Sequence, residues 1–67
     1  MTYAEAFELV QAGRGRWTVR SRATATDAGQ VLRTEDGFEL RDLRDRALGV
    51  FESIEDGLRF LLQATRR

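Results

Sequence analysis

Val31-Leu32-Arg33-Thr34-Glu35-Asp36-Gly37-Phe38-Glu39-Leu40-Arg41-Asp42 reads as two short strands bent about a turn. The turn chosen decides every face of the molecule. Strand side chains alternate with period two, so a one-residue slip moves them all to the other side. A two-residue turn at Asp36-Gly37 sets Glu35 against Phe38 and puts an acid and an aromatic on one face. A three-residue turn, with Gly37 in the left-handed position, sets Thr34 against Phe38 and Leu32 against Leu40. The second register gathers Leu32, Thr34, Phe38 and Leu40 inside and leaves Arg33 opposite Glu39 outside, so it is the one expected.

The same test extends in both directions. Toward the C-terminus, a turn over Leu43-Arg44-Asp45 pairs Phe38 with Val50 and Leu40 with Leu48, making Arg46 to Phe51 a fourth strand interrupted by Gly49. Toward the N-terminus, Trp17, Val19, Ser21, Ala23 and Ala25 alternate with Thr18, Arg20, Arg22, Thr24 and Thr26, the pattern of a half-buried strand. Asp27-Ala28-Gly29-Gln30 then reads as a turn, and pairing Ala25 with Leu32 leaves Arg22 opposite Glu35. All three hairpins share one inner face.

Helical signals flank the strands. Thr2 and Glu5 have capping-box spacing, and Tyr3, Ala6, Phe7 and Val10 form a stripe opposite Glu5, Glu8 and Gln11. The spacing predicts a first helix that Gly13 ends in a left-handed conformation. Ser53 and Asp56 open the last helix in the same way. On its wheel Ile54, Gly57, Leu58, Phe60, Leu61, Leu62, Ala64 and Thr65 cover an arc of about 200°, with Glu55, Asp56, Arg59, Gln63 and Arg66 on the remainder. A sheet covers only about half that arc. The surplus is expected to meet the first helix or a second copy of the chain, with Phe60 and Leu62 at the arc's edges as contacts of a homodimer. Gly57 costs about 1 kcal/mol inside a helix, so a close contact is expected to offset it.

The expected architecture is α+β in a single domain over residues 1–67: helix, four-stranded antiparallel β-meander, helix, with both helices packed on one face of the sheet. At 67 residues the chain has one small core and no cysteine to staple it. No apolar run approaches a membrane span, and Met1-Thr2-Tyr3-Ala4-Glu5 is no charged signal segment, so a cytoplasmic protein with no membrane contact is expected.

All eleven cations are arginine; lysine, histidine and cysteine are absent. That composition removes the usual proton shuttle, the soft-metal ligands, the thiolate nucleophile and the Schiff-base amine. Ser21 and Ser53 have no histidine or lysine to activate them. The acid pairs Glu35/Asp36, Asp42/Asp45 and Glu55/Asp56 have the placement of turn and capping residues, and no Asp-rich loop has liganding spacing. No catalytic residue, cofactor or metal is therefore expected.

Recognition is the remaining class. By the alternation above, the outer face carries Arg16, Thr18, Arg20 and Arg22, then Arg33 and Glu35, then Glu39 and Arg41. Five arginines against two glutamates leave a positive surplus there, although formal net charge is zero overall. Arginine forks match carboxylate and phosphate. Arg16, Arg20, Arg22, Arg33 and Arg41 are thus the expected contact residues for another protein with an acidic surface. Size alone fits an accessory or inhibitor protein encoded on a phage or plasmid. The same arginines would serve nucleic-acid binding, but Trp17 and Phe38 point inward and leave no stacking platform.

Gly15-Arg16-Trp17-Thr18-Val19-Arg20 and Leu48-Gly49-Val50-Phe51 before Ser53-Ile54-Glu55-Asp56 resemble the strands and helix start of AP2-type DNA-binding domains. The chain departs from them by an added hairpin and by lacking their alanine-rich helix. The helix–strands–helix order is similar to a double-stranded RNA-binding domain. In that family a Lys-rich helix start grips phosphate, whereas Ser53-Ile54-Glu55-Asp56 is acidic here. No functional residue carries across from either family.

Overall fold

The computed structural model describes residues 2–65; the polar-face position expected for Arg66 and the apolar-arc position expected for the Thr65 side chain lie outside that description. The chain runs through α1 (Tyr3–Ala6), β1 (Phe7–Gly13), β2 (Arg16–Ser21), β3 (Thr26–Thr34), β4 (Gly37–Arg41), β5 (Ala47–Phe51) and α2 (Ile54–Thr65). The strands form one antiparallel sheet in the order β1-β2-β3-β4-β5. The α+β class, the antiparallel meander and the last helix agree with expectation, while the first helix is cut to a single turn. The sheet has five strands rather than four.

The fifth strand comes from the segment expected to be helical. The Glu5 carboxylate accepts from the Thr2 backbone N–H (3.1 Å) and hydroxyl (3.0 Å), so Thr2 and Glu5 meet as the capping-box spacing predicts. The helix nevertheless ends after one turn, and Phe7 is already extended at φ −129°, ψ 147°. Phe7 to Gln11 fits both periods, since Phe7 and Val10 suit a helix while Phe7, Leu9 and Gln11 suit a strand. Long-range pairing with β2 decides for the strand: Phe7 meets Ser21, Leu9 meets Val19, and Gln11 meets Trp17. Gly15, not Gly13, takes the left-handed conformation (φ +69°) and turns the chain into β2.

The first inner turn also moves. Residues 22–25 make it, with Ala25 left-handed at φ 55° and its N–H donating to the Ser21 carbonyl (2.8 Å). Asp27-Ala28-Gly29-Gln30, expected as a turn, lies within β3. Gly29 is there for a close approach: a Cβ would sit 2.6 Å from the Arg41 carbonyl oxygen. Trp17 consequently pairs with Val31 and Arg16 with Leu32, and the expected Ala25–Leu32 and Arg22–Glu35 pairs do not form.

The deciding hairpin takes a two-residue turn at Glu35-Asp36, with Thr34 paired to Gly37, Val31 to Leu40 and Arg33 to Phe38. The Thr34 hydroxyl fixes it, accepting from the Asp36 N–H (3.3 Å) and donating to the Gly37 carbonyl (3.1 Å). Val31 therefore turns inward beside Leu40, while Leu32 and Thr34 face outward, contrary to the expected register. At the next hairpin Phe38 pairs with Phe51 and Leu40 with Gly49, one residue from expectation, so Val50 also faces outward. Asp42 builds that loop. Its Oδ1 accepts from the Arg44 and Arg46 backbone N–H groups (2.9 Å each) and its Oδ2 from Arg46 Nε (2.9 Å).

The ladder skips three residues, Ala12, Ala28 and Leu48, as bulges do. Two of them, Ala28 and Leu48, pack back against the core. That core is Phe7, Val19, Val31 and Leu40 from the sheet with Leu58, Leu61 and Leu62 from α2. Leu62, expected at the rim of the arc, belongs to it, whereas Phe60 stays 40% exposed with its ring 5.5 Å from that of Phe51. Phe51 also supplies the contact expected at Gly57, where a Cβ would lie 3.3 Å from the ring. Tyr3 of α1 lies beneath Arg59 of α2, with the guanidinium 5.2 Å from the ring centroid. Both helices occupy one side of the sheet. Among the described residues no helix is long and apolar enough to cross a membrane.

Candidate functional site: the open face of the sheet

Register alone assigns the side chains facing away from α2. They are Glu8 and Val10 on β1, then Arg16, Thr18 and Arg20 on β2. β3 adds Asp27, Gln30, Leu32 and Thr34; β4 adds Glu39 and Arg41; β5 adds Ala47 and Val50. Two rows cross the face. One runs Val10, Thr18, Gln30, Arg41, Ala47, and the other Arg16, Leu32, Glu39, Val50.

Arg16, Arg20 and Arg41 are thus brought together on this face, as the alternation predicts. Arg22 and Arg33 are not. Arg22 sits in the 22–25 turn, where its Nε donates to the carbonyls of Ala4 (3.1 Å) and Phe7 (3.2 Å) and ties α1 to the sheet. Its backbone N–H donates to the Ala6 carbonyl (2.9 Å). Arg33 follows Val31 by two residues and pairs with Phe38, so it belongs to the helix-bearing side. Glu35 lies in the turn. Both departures follow from the shifted register.

The charge of the face changes with them. Arg16, Arg20 and Arg41 stand against Glu8, Asp27 and Glu39, so the expected cation surplus is absent from the strands. Glu8 lies across from Arg20, which in turn lies across from Asp27. Arg41 Nε meets Glu39 at 3.2 Å, and its NH1 meets Asp45 at 3.0 Å. Hydrogen bonds to Asp45 and then Glu39 raise the Arg41 pKa above its usual value, so that cation is already committed within the chain. Arg20 NH2 donates to the Ala25 carbonyl at 2.6 Å. Arg16 begins β2 and is exposed.

Besides Ala47, the face carries three larger apolar residues that the alternation does not place there. Val50 is 53% exposed, Val10 is 40% exposed, and Leu32 is half-buried between Arg16 and Glu39. The face bears no aromatic ring. Trp17 and Phe38 are on the other side, in edge contact with centroids 6.0 Å apart. Among the described residues, no group of three or more Asp, Glu, His or Cys is placed to hold a metal ion. No protein-family model, curated protein or solved structure matches this chain.

Proposed function

We propose that this chain is a small non-catalytic binding module that acts by stoichiometric protein–protein contact through the open face of its sheet. The observation that carries the reading is that face itself. It is five strands wide, has no second layer over it among the described residues, and sets exposed Val10 and Val50 and half-buried Leu32 among equal numbers of opposite charges. Protein interfaces combine an apolar centre with a polar rim in this way. Arg16 and Arg20 remain the groups for carboxylates of the partner. Size and fold suit an accessory or inhibitor protein. Nucleic acid is the less favoured partner, because charge balance gives phosphate no net attraction and the face has no ring for a base to stack on.

The test is capture from nuclease-treated lysate, followed by titration of the purified captured protein. A one-to-one complex is expected, weakened about tenfold or more by Val50→Arg, as for a buried position in an interface. Capture that disappears with nuclease, or affinity falling steeply with salt while Val50→Arg changes nothing, would overturn the reading in favour of nucleic acid.

A further inference from the structure

A groove opens on the helix-bearing side, where α1, the β1 edge and the start of α2 converge. It holds about 350 Å³, near the lower end of the roughly 300–1,000 Å³ typical of small-molecule sites. Tyr3, Phe7, Leu9, Ile54 and Leu58 give it apolar walls, and Leu9 is 37% exposed into solvent. Arg22 and Glu55 are its charged lining residues.

The other charged side chains of α1 and α2 near it are already engaged within the chain. Glu5 accepts from Thr2, and Arg59 lies over the Tyr3 ring with its Nη1 3.1 Å from Asp56 Oδ1. Arg22 is only half engaged. Its Nε is pinned by the carbonyls of Ala4 and Phe7, and its backbone N–H by that of Ala6, so the guanidinium is held in place. Among the described residues, neither its Nη1 nor its Nη2 has a hydrogen-bond or ion-pair partner. The Glu55 carboxylate likewise has none there, and it forms no ion pair with Arg22. One groove thus presents an oriented cation and an uncommitted anion beside an apolar wall.

We infer that this groove binds a single free α-amino acid with an aliphatic or aromatic side chain. Its carboxylate bonds to Arg22 Nη1 and Nη2, its ammonium meets Glu55, and its side chain lies against Phe7, Leu9 and Leu58. The guanidinium fork matches a carboxylate, and holding the fork in advance lowers the entropy lost on binding. A carboxylic acid without the amine brings a second anion toward Glu55. An amine without the carboxylate leaves Arg22 unmatched. A site built on paired charges therefore rejects a ligand that lacks either one. A residue within a peptide has neither charge and a chain terminus has one, so the free amino acid is selected. The groove lies across the sheet from the open face, so the inference stands apart from the proposed function.

The experiment follows the amide chemical shifts of Leu9, Ile54 and Leu58 as L-leucine or L-phenylalanine is added to about 20 mM, since so small a ligand binds weakly. The comparison probes are glycine, isocaproate (leucine without its amine) and isoamylamine (leucine without its carboxylate). Saturable shifts are expected with both larger amino acids, and affinities about tenfold lower or worse for the three comparison probes. Arg22 also ties α1 to the sheet, so the deciding variant is Glu55→Gln, whose carboxylate bonds nothing else among the described residues. It should weaken leucine about tenfold and narrow its margin over isocaproate, with far-ultraviolet circular dichroism kept. Val50→Arg, on the opposite face, should bind leucine as the unaltered chain does. No saturable shift with either amino acid, isocaproate or isoamylamine binding as tightly as leucine, or Glu55→Gln without effect would overturn it.

Discussion

Ala25 illustrates how local strain marks a turn that composition hides. It holds φ 55° to close the 22–25 turn, a conformation that costs an L-residue roughly 1–2 kcal/mol and glycine almost none. Ala25→Gly is therefore expected to raise stability by about 0.5–1 kcal/mol after the entropic cost of glycine, measured by urea denaturation. Two acids carry the pH dependence. Asp42 is held below the ordinary carboxylate range, chiefly by the backbone N–H of Arg46, with the Arg46 side chain and the Arg44 N–H adding to it. Glu5 is lowered by the backbone N–H of Thr2 and then by its hydroxyl. A carboxyl depressed on folding contributes stability that is complete above its unfolded pKa and lost as pH falls through the folded one. Melting temperature should accordingly be flat near neutrality and decline below about pH 4, the ordinary carboxylate range. Asp42→Asn should lower the neutral-pH value and flatten that decline.

At the level of elements, β1 is the part of the fold that local sequence leaves undecided. Its ladder predicts alternating amide protection, with Glu8 and Val10 slow to exchange and Leu9 and Gln11 fast, read by hydrogen exchange in dilute protein. Continuous protection from Phe7 to Gln11 would instead mark a helix. β3 carries a second test. Gly29→Ala places a methyl 2.6 Å from the Arg41 carbonyl, and the crowding should cost about 1–3 kcal/mol in a denaturation experiment. These cases also show what the sequence makes legible. Strict alternation from Arg16 to Ser21 and the amphipathic run from Ile54 give β2 and α2 directly. Phe7 to Gln11 satisfies two periods, and pairing with a distant strand makes the choice. The β3–β4 register depends on one hydroxyl, that of Thr34, and the bulges at Ala28 and Leu48 have no composition signal. Arg16, Arg20 and Arg41 were readable because alternation survives a change of turn on the strand that carries them. Leu32 and Val50 were not, because a single-residue shift exchanges the faces.

For the molecule as a whole, a single apolar cluster holds a five-stranded sheet beneath one long helix. A domain of this size rarely has more than about 3–5 kcal/mol in reserve. Leu40 is 1% exposed, and removing a buried leucine side chain costs about 2–5 kcal/mol. Leu40→Ala should therefore leave much of the population unfolded at room temperature, visible as loss of near-ultraviolet dichroism from Trp17. Covering only one side of the sheet places all of that cluster between α2 and the strands. The opposite side is left as a broad, charge-balanced surface bearing Val10, Leu32, Ala47 and Val50. Its availability for a partner is the claim on which the functional account depends. Amide chemical-shift mapping of the isotopically labelled chain with its captured protein tests it most directly. The largest changes are expected at Thr18, Gln30, Leu32, Glu39 and Val50, with Glu55, Arg59 and Gln63 of α2 unmoved. Changes concentrated on α2, with the open face silent, would contradict it.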